Sequence, residues 1–131
     1  MNSMKNKNPS VLVVDDDSMV REMLKTILRS DDYEVIGEAP HGEAALEQCR
    51  KHRPGVVLLD INMPGMDGLE VLHALRKEFP GTRVIMISAE ATTARVKEAV
   101  ASGAVGFIVK PFNAGRVLDD IAAVLRKGHT T

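Results

Sequence analysis

Four short apolar runs in this chain end in residues able to hold a cation or a phosphoryl group. Val11-Leu12-Val13-Val14 stops at Asp15-Asp16-Asp17, and Val56-Val57-Leu58-Leu59 stops at Asp60. Val84-Ile85-Met86-Ile87 stops at Ser88, and Gly106-Phe107-Ile108-Val109 stops at Lys110-Pro111-Phe112. Short continuous apolar runs of this kind suit the strands of a parallel sheet buried on both faces. In an open α/β sheet the C-terminal strand ends lie side by side. Carboxylates gathered there supply the oxygen ligands that a hard cation requires. A hydroxyl and an ammonium beside them supply donors for phosphoryl oxygens. Asp60 carries the most information, because Ile61-Asn62-Met63-Pro64-Gly65-Met66-Asp67-Gly68 follows it.

Periodicity and punctuation place the elements that must position these residues. The first strand runs from Val11 to Asp15. A helix follows over Ser18 to Arg29, with Val20, Met23, Leu24, Ile27 and Leu28 on one face. Glu34 to Glu38 alternates as an edge strand. The second helix, Gly42 to His52, is stopped by Arg53-Pro54-Gly55. The third strand, Val56 to Asp60, is continuously apolar up to its final acid, as a central strand should be. Asp67 and Glu70 have capping-box spacing at the start of the third helix, which ends before Pro80-Gly81. Arg83 to Ser88 forms the fourth strand, and Thr92 to Ser102 the fourth helix, closed by Gly103. The fifth strand is Val105 to Val109. Asn113 caps a fifth helix that ends at Lys127-Gly128. Strands alternating with helices in this way define an α/β fold with a doubly wound five-stranded parallel sheet.

Composition narrows the function classes. A length of 131 residues suits one domain, here read as residues 11–128, with a mobile tail over 1–10 and a short tail over 129–131. Eighteen acids nearly cancel 17 bases, so bulk basicity for nucleic acid or membrane surfaces is missing. The single Cys49 forms no internal disulfide and fits a reducing cytoplasm. No apolar stretch approaches the ~20 residues of a membrane span. His41, His52, His73 and His129 lack metal-ligand spacing. With no Trp, three Phe and one Tyr, the core must be aliphatic.

Taken in order, the acidic pair, Asp60 with Met63-Pro64-Gly65-Met66-Asp67-Gly68, Ser88-Ala89 and Lys110-Pro111-Phe112 resemble the receiver domain of two-component signalling. The likeness is greatest to chemotaxis-type single-domain response regulators and extends from about Val11 to Leu125. It implies a flavodoxin-like (βα)5 fold with strand order 2-1-3-4-5. It also implies that Asp60 accepts a phosphoryl group from a sensor histidine kinase or a histidine phosphotransfer protein. Mg²⁺, or Mn²⁺ in its place, would be held by Asp16, Asp60 and the backbone carbonyl of Asn62, with Asp15 acting through water. Asp17 would face solvent or cap the first helix. Ser88 corresponds to the family's switch hydroxyl, and Ala89 beside it leaves room for the phosphoryl group. Lys110 would contact phosphoryl oxygens, and the Lys110-Pro111 bond would be cis. Phe107 would be the switch aromatic, with Asn62 and Glu90 tuning dephosphorylation. The output, a downstream protein target, would bind the face of the fourth helix, fifth strand and fifth helix. Val96, Val100, Phe107, Arg95, Lys97 and Arg116 belong to that face. A receiver assists its own phosphorylation and dephosphorylation but has no separate turnover substrate, so the resemblance implies a switch and not an enzyme. It implies no direct nucleic-acid or membrane contact and a cytoplasmic location.

Other readings of the same residues exist. Asp15-Asp16-Asp17 can be a solvated turn with a helix cap, Ser88 can satisfy local backbone, and Phe107 can be an ordinary strand residue. A haloacid-dehalogenase-like phosphatase also uses Asp-x-Asp after its first strand, then a hydroxyl and a Lys. That family needs a further acidic pair on a later strand, where this chain has one helix left, and it leaves Asp60 unexplained. The chain can also be the N-terminal receiver of a longer DNA-binding regulator. Against that stand the lack of a basic helix-turn-helix pattern and the segment Ala104-Val105-Gly106-Phe107, where one large DNA-binding subgroup carries acids.

Overall fold

Valine, isoleucine and leucine dominate the paired segments because helices cover both faces of the sheet they form. In the computed structural model, which describes residues 8–128, the strands are β1 (Ser10–Val14), β2 (Glu34–Ala39), β3 (Val56–Asp60), β4 (Arg83–Ser88) and β5 (Gly106–Val109). The helices are α1 (Ser18–Ser30), α2 (Gly42–His52), α3 (Gly68–Glu78), α4 (Thr93–Ala101) and α5 (Ala114–Gly128). All pairings are parallel, in the order β2-β1-β3-β4-β5. The expected doubly wound sheet and its strand order are therefore both found. β3 is central and wholly buried, while β2 and β5 are the edges.

Strand alternation sorts the core into two halves. Val11, Val13, Val56, Leu58, Ile85, Ile87 and Ile108 pack with Leu24, Ile27 and Leu28 of α1 and Val117, Ile121 and Val124 of α5. Leu12, Val14, Val57, Leu59, Val84 and Met86 pack on the other side with α2, α3 and Ala99 of α4. Burial also pushes the Cys49 thiol in α2 up to about 11, so it stays protonated. Among the described residues no helix is long and apolar enough to cross a membrane.

The local signals are realised as hydrogen bonds. Asp67 accepts from Glu70 N–H while the Glu70 carboxylate accepts from Asp67 N–H, each at 3.0 Å, completing the capping box. Thr92 and Asn113 cap α4 and α5 by accepting from Arg95 and Arg116 N–H. One reading changes. Met23, which its spacing places on one face of α1 with Leu24, Ile27 and Leu28, is 48% exposed, because the buried stripe there is Leu24, Ile27 and Leu28. Within the segment read as a tail over 1–10, Ser10 pairs with Glu34 and Asn8 Nδ2 donates to the Asp31 carbonyl at 3.1 Å. Residues 1–7 and the tail over 129–131 lie outside the described residues.

One glycine decides how α3 meets the end of β3. A Cβ on Gly68 would lie 2.4 Å from the Asp60 carbonyl oxygen and 2.5 Å from Ile61 Cα. Gly68 N–H also donates to the Ile61 carbonyl at 2.8 Å. The first turn of α3 therefore rests directly on the backbone that carries Asp60, an approach only glycine permits. Gly68→Ala is expected to lower the unfolding free energy by about 1–3 kcal/mol in urea denaturation. Gly81→Ala, whose Cβ meets nothing within 4 Å, should stay within about 0.5 kcal/mol of the parent.

Candidate functional site

Alternation continues to the strand ends and assigns the site residues to sides. Asp15, Asp60 and Lys110 share the parity of Val13, Leu58 and Ile108, facing α1 and α5, whereas Ser88 and Phe107 share the parity of Met86, facing α4. Asp60 closes β3, in register with Ile87 of β4, and is only 3% exposed. Its Oδ1 accepts from Asn62 N–H at 3.4 Å. Asp15 is fully buried. Its Oδ1 accepts from Asp17 N–H at 2.9 Å and its Oδ2 from Lys110 Nζ at 2.9 Å. The same ammonium lies 3.6 Å from Asp60 Oδ2. Asp16 is exposed beside them, and one carboxylate oxygen from each of Asp15, Asp16 and Asp60 lies within 4.8 Å of the others.

This crowding shapes the electrostatics. Burial first, then the neighbouring Asp15 charge, pushes Asp60 up to about 6 from 3.8, although Lys110 and the Asn62 N–H oppose the shift. Burial works against the Lys110 charge, but its bond to Asp15 and the Asp60 carboxylate outweigh that, and its pKa rises. The ammonium is thus charged at every physiological pH. Lys110 sits nearer to Asp15 than to Asp60, so it serves chiefly as the counter-ion of Asp15.

The remaining expected residues fall into two groups. Ser88 is buried, and its hydroxyl oxygen accepts from Glu90 N–H at 2.9 Å, a local bond that leaves the hydroxyl proton to donate elsewhere. Lys110 N–H donates to the Ser88 carbonyl, which ties the last two strand ends together. The Lys110-Pro111 bond is cis, as the resemblance implied. Phe107 stands back from the acids, partly buried against the core on the α4 side and in register with Met86. Asn62 is exposed at the start of the β3–α3 loop. Asp17 caps α1, its Oδ1 accepting from Met19 N–H at 2.9 Å. One contact was not expected from the sequence: Arg21 Nη1 donates to the Asp15 carbonyl at 2.6 Å. The only signal for it was an arginine one turn into the helix that follows an acidic run.

The donor set fits Mg²⁺. Its side-chain ligands are all carboxylate oxygens, the hard donors that Mg²⁺ and Mn²⁺ select, and exposed Asp16 leaves an open side for the waters that Mg²⁺ retains. Both oxygens of Asp15 are engaged by protein donors, which suits a contribution through water better than direct ligation.

The raised Asp60 pKa has a definite consequence for stability. Below about pH 4 the carboxyl is protonated both folded and unfolded. Between there and about 6 the folded state keeps a proton that the unfolded state has lost, so stability falls as pH rises through this window. Above it the full cost of holding Asp60 ionised persists, roughly 2–3 kcal/mol. Asp60→Asn should therefore raise the unfolding free energy at pH 7.5 by about 2 kcal/mol in the presence of a chelator. Urea denaturation across pH should show the gain shrinking toward zero below about pH 4.

Comparison with known proteins agrees with this geometry. The profile of the response regulator receiver domain matches residues 11–122. The chain is 44% identical over 109 residues to the chemotaxis protein CheY of Listeria monocytogenes, covering 83% of this chain and 92% of that one. It is 42% identical over 115 residues to CheY of Bacillus subtilis, covering 88% and 96% respectively. Among solved structures it superposes on the CheX–CheY–BeF3–Mg²⁺ complex of Borrelia burgdorferi with a TM-score of 0.88, at 35% identity over 94% of each chain. With five parallel strands in the receiver order and an acidic site at their C-terminal ends, this chain belongs to the response regulator receiver family.

Proposed function

We propose that the protein is a cytoplasmic phosphorylation-driven switch in which Asp60 accepts a phosphoryl group from a sensor histidine kinase or histidine phosphotransfer protein. One observation carries this reading. A carboxylate 3% exposed at the end of the central strand has an ammonium at 3.6 Å and two further carboxylates beside it. An Asp60 oxygen attacks phosphorus, the phosphorus–nitrogen bond of the donor phosphohistidine breaks, and its electron pair returns to the imidazole. The product is an acyl phosphate on Asp60. Phosphoryl transfer asks the protein mainly for alignment and for neutralisation of charge on the transferring oxygens. Mg²⁺, or Mn²⁺ in its place, would be held by Asp16, Asp60 and the Asn62 carbonyl, with Asp15 through water, and would supply much of that neutralisation. Lys110 adds a positive charge at a group it already approaches. Ser88 donates to a phosphoryl oxygen the hydroxyl proton that its bond from Glu90 N–H leaves available, adding a charge-assisted bond. The Borrelia CheY structure, with BeF3 and Mg²⁺ in its complex, supports this use of the fold.

The output follows from where Ser88 and Phe107 point. Both face α4, so drawing Ser88 toward Asp60 opens space into which Phe107 turns. Val100, Val105 and Val109 are 57%, 44% and 45% exposed on this side, an apolar surface at the β5 edge. Arg95 and Lys97 of α4 and Arg116 of α5 add basic charge to the same face. The α4-β5-α5 face thus suits a downstream protein target carrying a mixed apolar and acidic segment. The protein has no separate turnover substrate on this reading.

Acetyl phosphate with Mg²⁺ should yield an acid-stable, hydroxylamine-labile adduct, detected by mass spectrometry. Asp60→Asn should abolish it, and Asp16→Ala should lose both the adduct and Mg²⁺ binding. An adduct of full yield on Asp15 in Asp60→Asn would return the phosphatase reading. Beryllofluoride with Mg²⁺ should shift NMR amides from Ser88 through Phe112 more than those of α1 and α2. Shifts confined to the surroundings of Asp60 would remove the α4-β5-α5 face as the output.

A further inference from the structure

Asp16 is placed by its backbone alone. Among the described residues no hydrogen bond or ion pair reaches its exposed carboxylate. It is held by its two flanking peptides, the Asp16–Asp17 peptide through its N–H bond to Asp15 Oδ1 at 2.9 Å and the peptide that joins it to Asp15, whose polar atoms are all engaged. Asp15 N–H donates to the Ala39 carbonyl at 3.1 Å, tying the strand end to β2. Its side-chain oxygens take Asp17 N–H and Lys110 Nζ. Its carbonyl lies before the start of α1, outside the helical ladder, and its partner is the Arg21 guanidinium at 2.6 Å. That last bond is the one made to the Asp15–Asp16 peptide itself.

Arg21 is in turn held from behind. Its Nε donates to Glu38 Oε1 of β2 at 2.7 Å, and its side chain is 16% exposed. The other Glu38 oxygen takes Lys25 Nζ, which also binds Glu22 at 2.7 Å. Bonds to Lys25 and Arg21 keep the Glu38 carboxyl below its ordinary range, so it remains an ionised anchor. A planar guanidinium with donors on two edges can be clamped by a carboxylate on one edge and grip a carbonyl with the other, which an ammonium cannot reproduce.

We infer that Arg21, oriented by Glu38, is a positioning residue for the cation site: it fixes the Asp15–Asp16 peptide and so pre-places the Asp16 carboxylate for Mg²⁺. The inference rests on the proposed function and specifies how that site is held. Outer groups that orient a ligand act on affinity for the ion. Arg21 touches neither the phosphoryl group nor Asp60, so its loss acts on metal affinity and spares the step that metal assists.

The experiment is Arg21→Met, which keeps an unbranched stem of about the same apolar reach and removes both donors. Mg²⁺ titration of the unphosphorylated protein by NMR should show binding weakened by about tenfold. In the metal-free protein the Asp16 and Asp17 amides should lose order relative to the parent. Phosphorylation by acetyl phosphate should need correspondingly more Mg²⁺ yet reach the parent's plateau rate once Mg²⁺ is saturating. Arg21→Lys, retaining one donor, should recover part of the affinity. Mg²⁺ binding by folded Arg21→Met equal to that of the parent overturns the inference, and so does a plateau rate that falls in proportion to affinity. If Arg21→Met does not fold, Glu38→Gln replaces it, with weaker Mg²⁺ binding expected and unchanged binding overturning. Failure of the parent itself to bind Mg²⁺ or accept a phosphoryl group strikes instead at the proposed function.

Discussion

Two buried carboxylates sharing one ammonium is the interaction to which the rest of this structure answers. Asp15 and Asp60 are each almost sealed from water, and like charges in a poorly hydrated place repel strongly. Lys110, at 2.9 Å and 3.6 Å from the two, makes the arrangement tenable. Its long stem lets an ammonium from the β5 edge cross the end of β4 to reach β3 and β1. Burial, followed by the Asp15 charge, outweighs that neutralisation and keeps Asp60 pushed up to about 6. Function-bearing strain of this kind is held by stability built elsewhere, here by an aliphatic core closed on both sides of the sheet.

The supporting structure is concentrated on immobilising backbone near those acids. Gly68 lets α3 press against the Asp60–Ile61 backbone. Asp15 N–H is tied to β2, and its carbonyl is gripped from α1. Asp17 caps α1 immediately beyond. The acids therefore sit on rigid element ends, and the one exposed member, Asp16, is the one left open to solvent. Strand parity then separates two tasks. Asp15, Asp60 and Lys110 gather charge on the α1 and α5 side, while Ser88 and Phe107 lie toward α4, where the exposed valines are. β4 lies between the two groups, and its Ser88 carbonyl accepts from Lys110 N–H.

Much of this was legible in the residues. Val-rich runs, capping pairs such as Asp67 with Glu70, and stops such as Gly103 act within a few residues, so element positions agree with the sequence reading to within a residue or two. Met23 lies at the margin of the α1 stripe and is half exposed, which helical spacing alone cannot tell from its centre. The gathering of Asp15, Asp60, Ser88 and Lys110 was legible for a related reason: parallel strands put their C-terminal ends on one edge, whatever the packing in between.

Partner choice was not legible. That Lys110 bonds Asp15, 95 residues away, more closely than Asp60, depends on strand order, twist and the relative depth of two acids. None of these is encoded by local pattern. That Arg21 turns its guanidinium to the Asp15 carbonyl depends on Glu38 arriving from the edge strand. The sequence alone determined which elements form, which residues cap them and which chemistry meets at one end of the sheet, because those follow from short-range periodicity and side-chain type. Only the tertiary structure decided which charges pair, which acid is buried and which stays open. Those outcomes turn on ångström-scale distances between residues far apart in the chain, and electrostatic and hydrogen-bond energies change steeply over such distances.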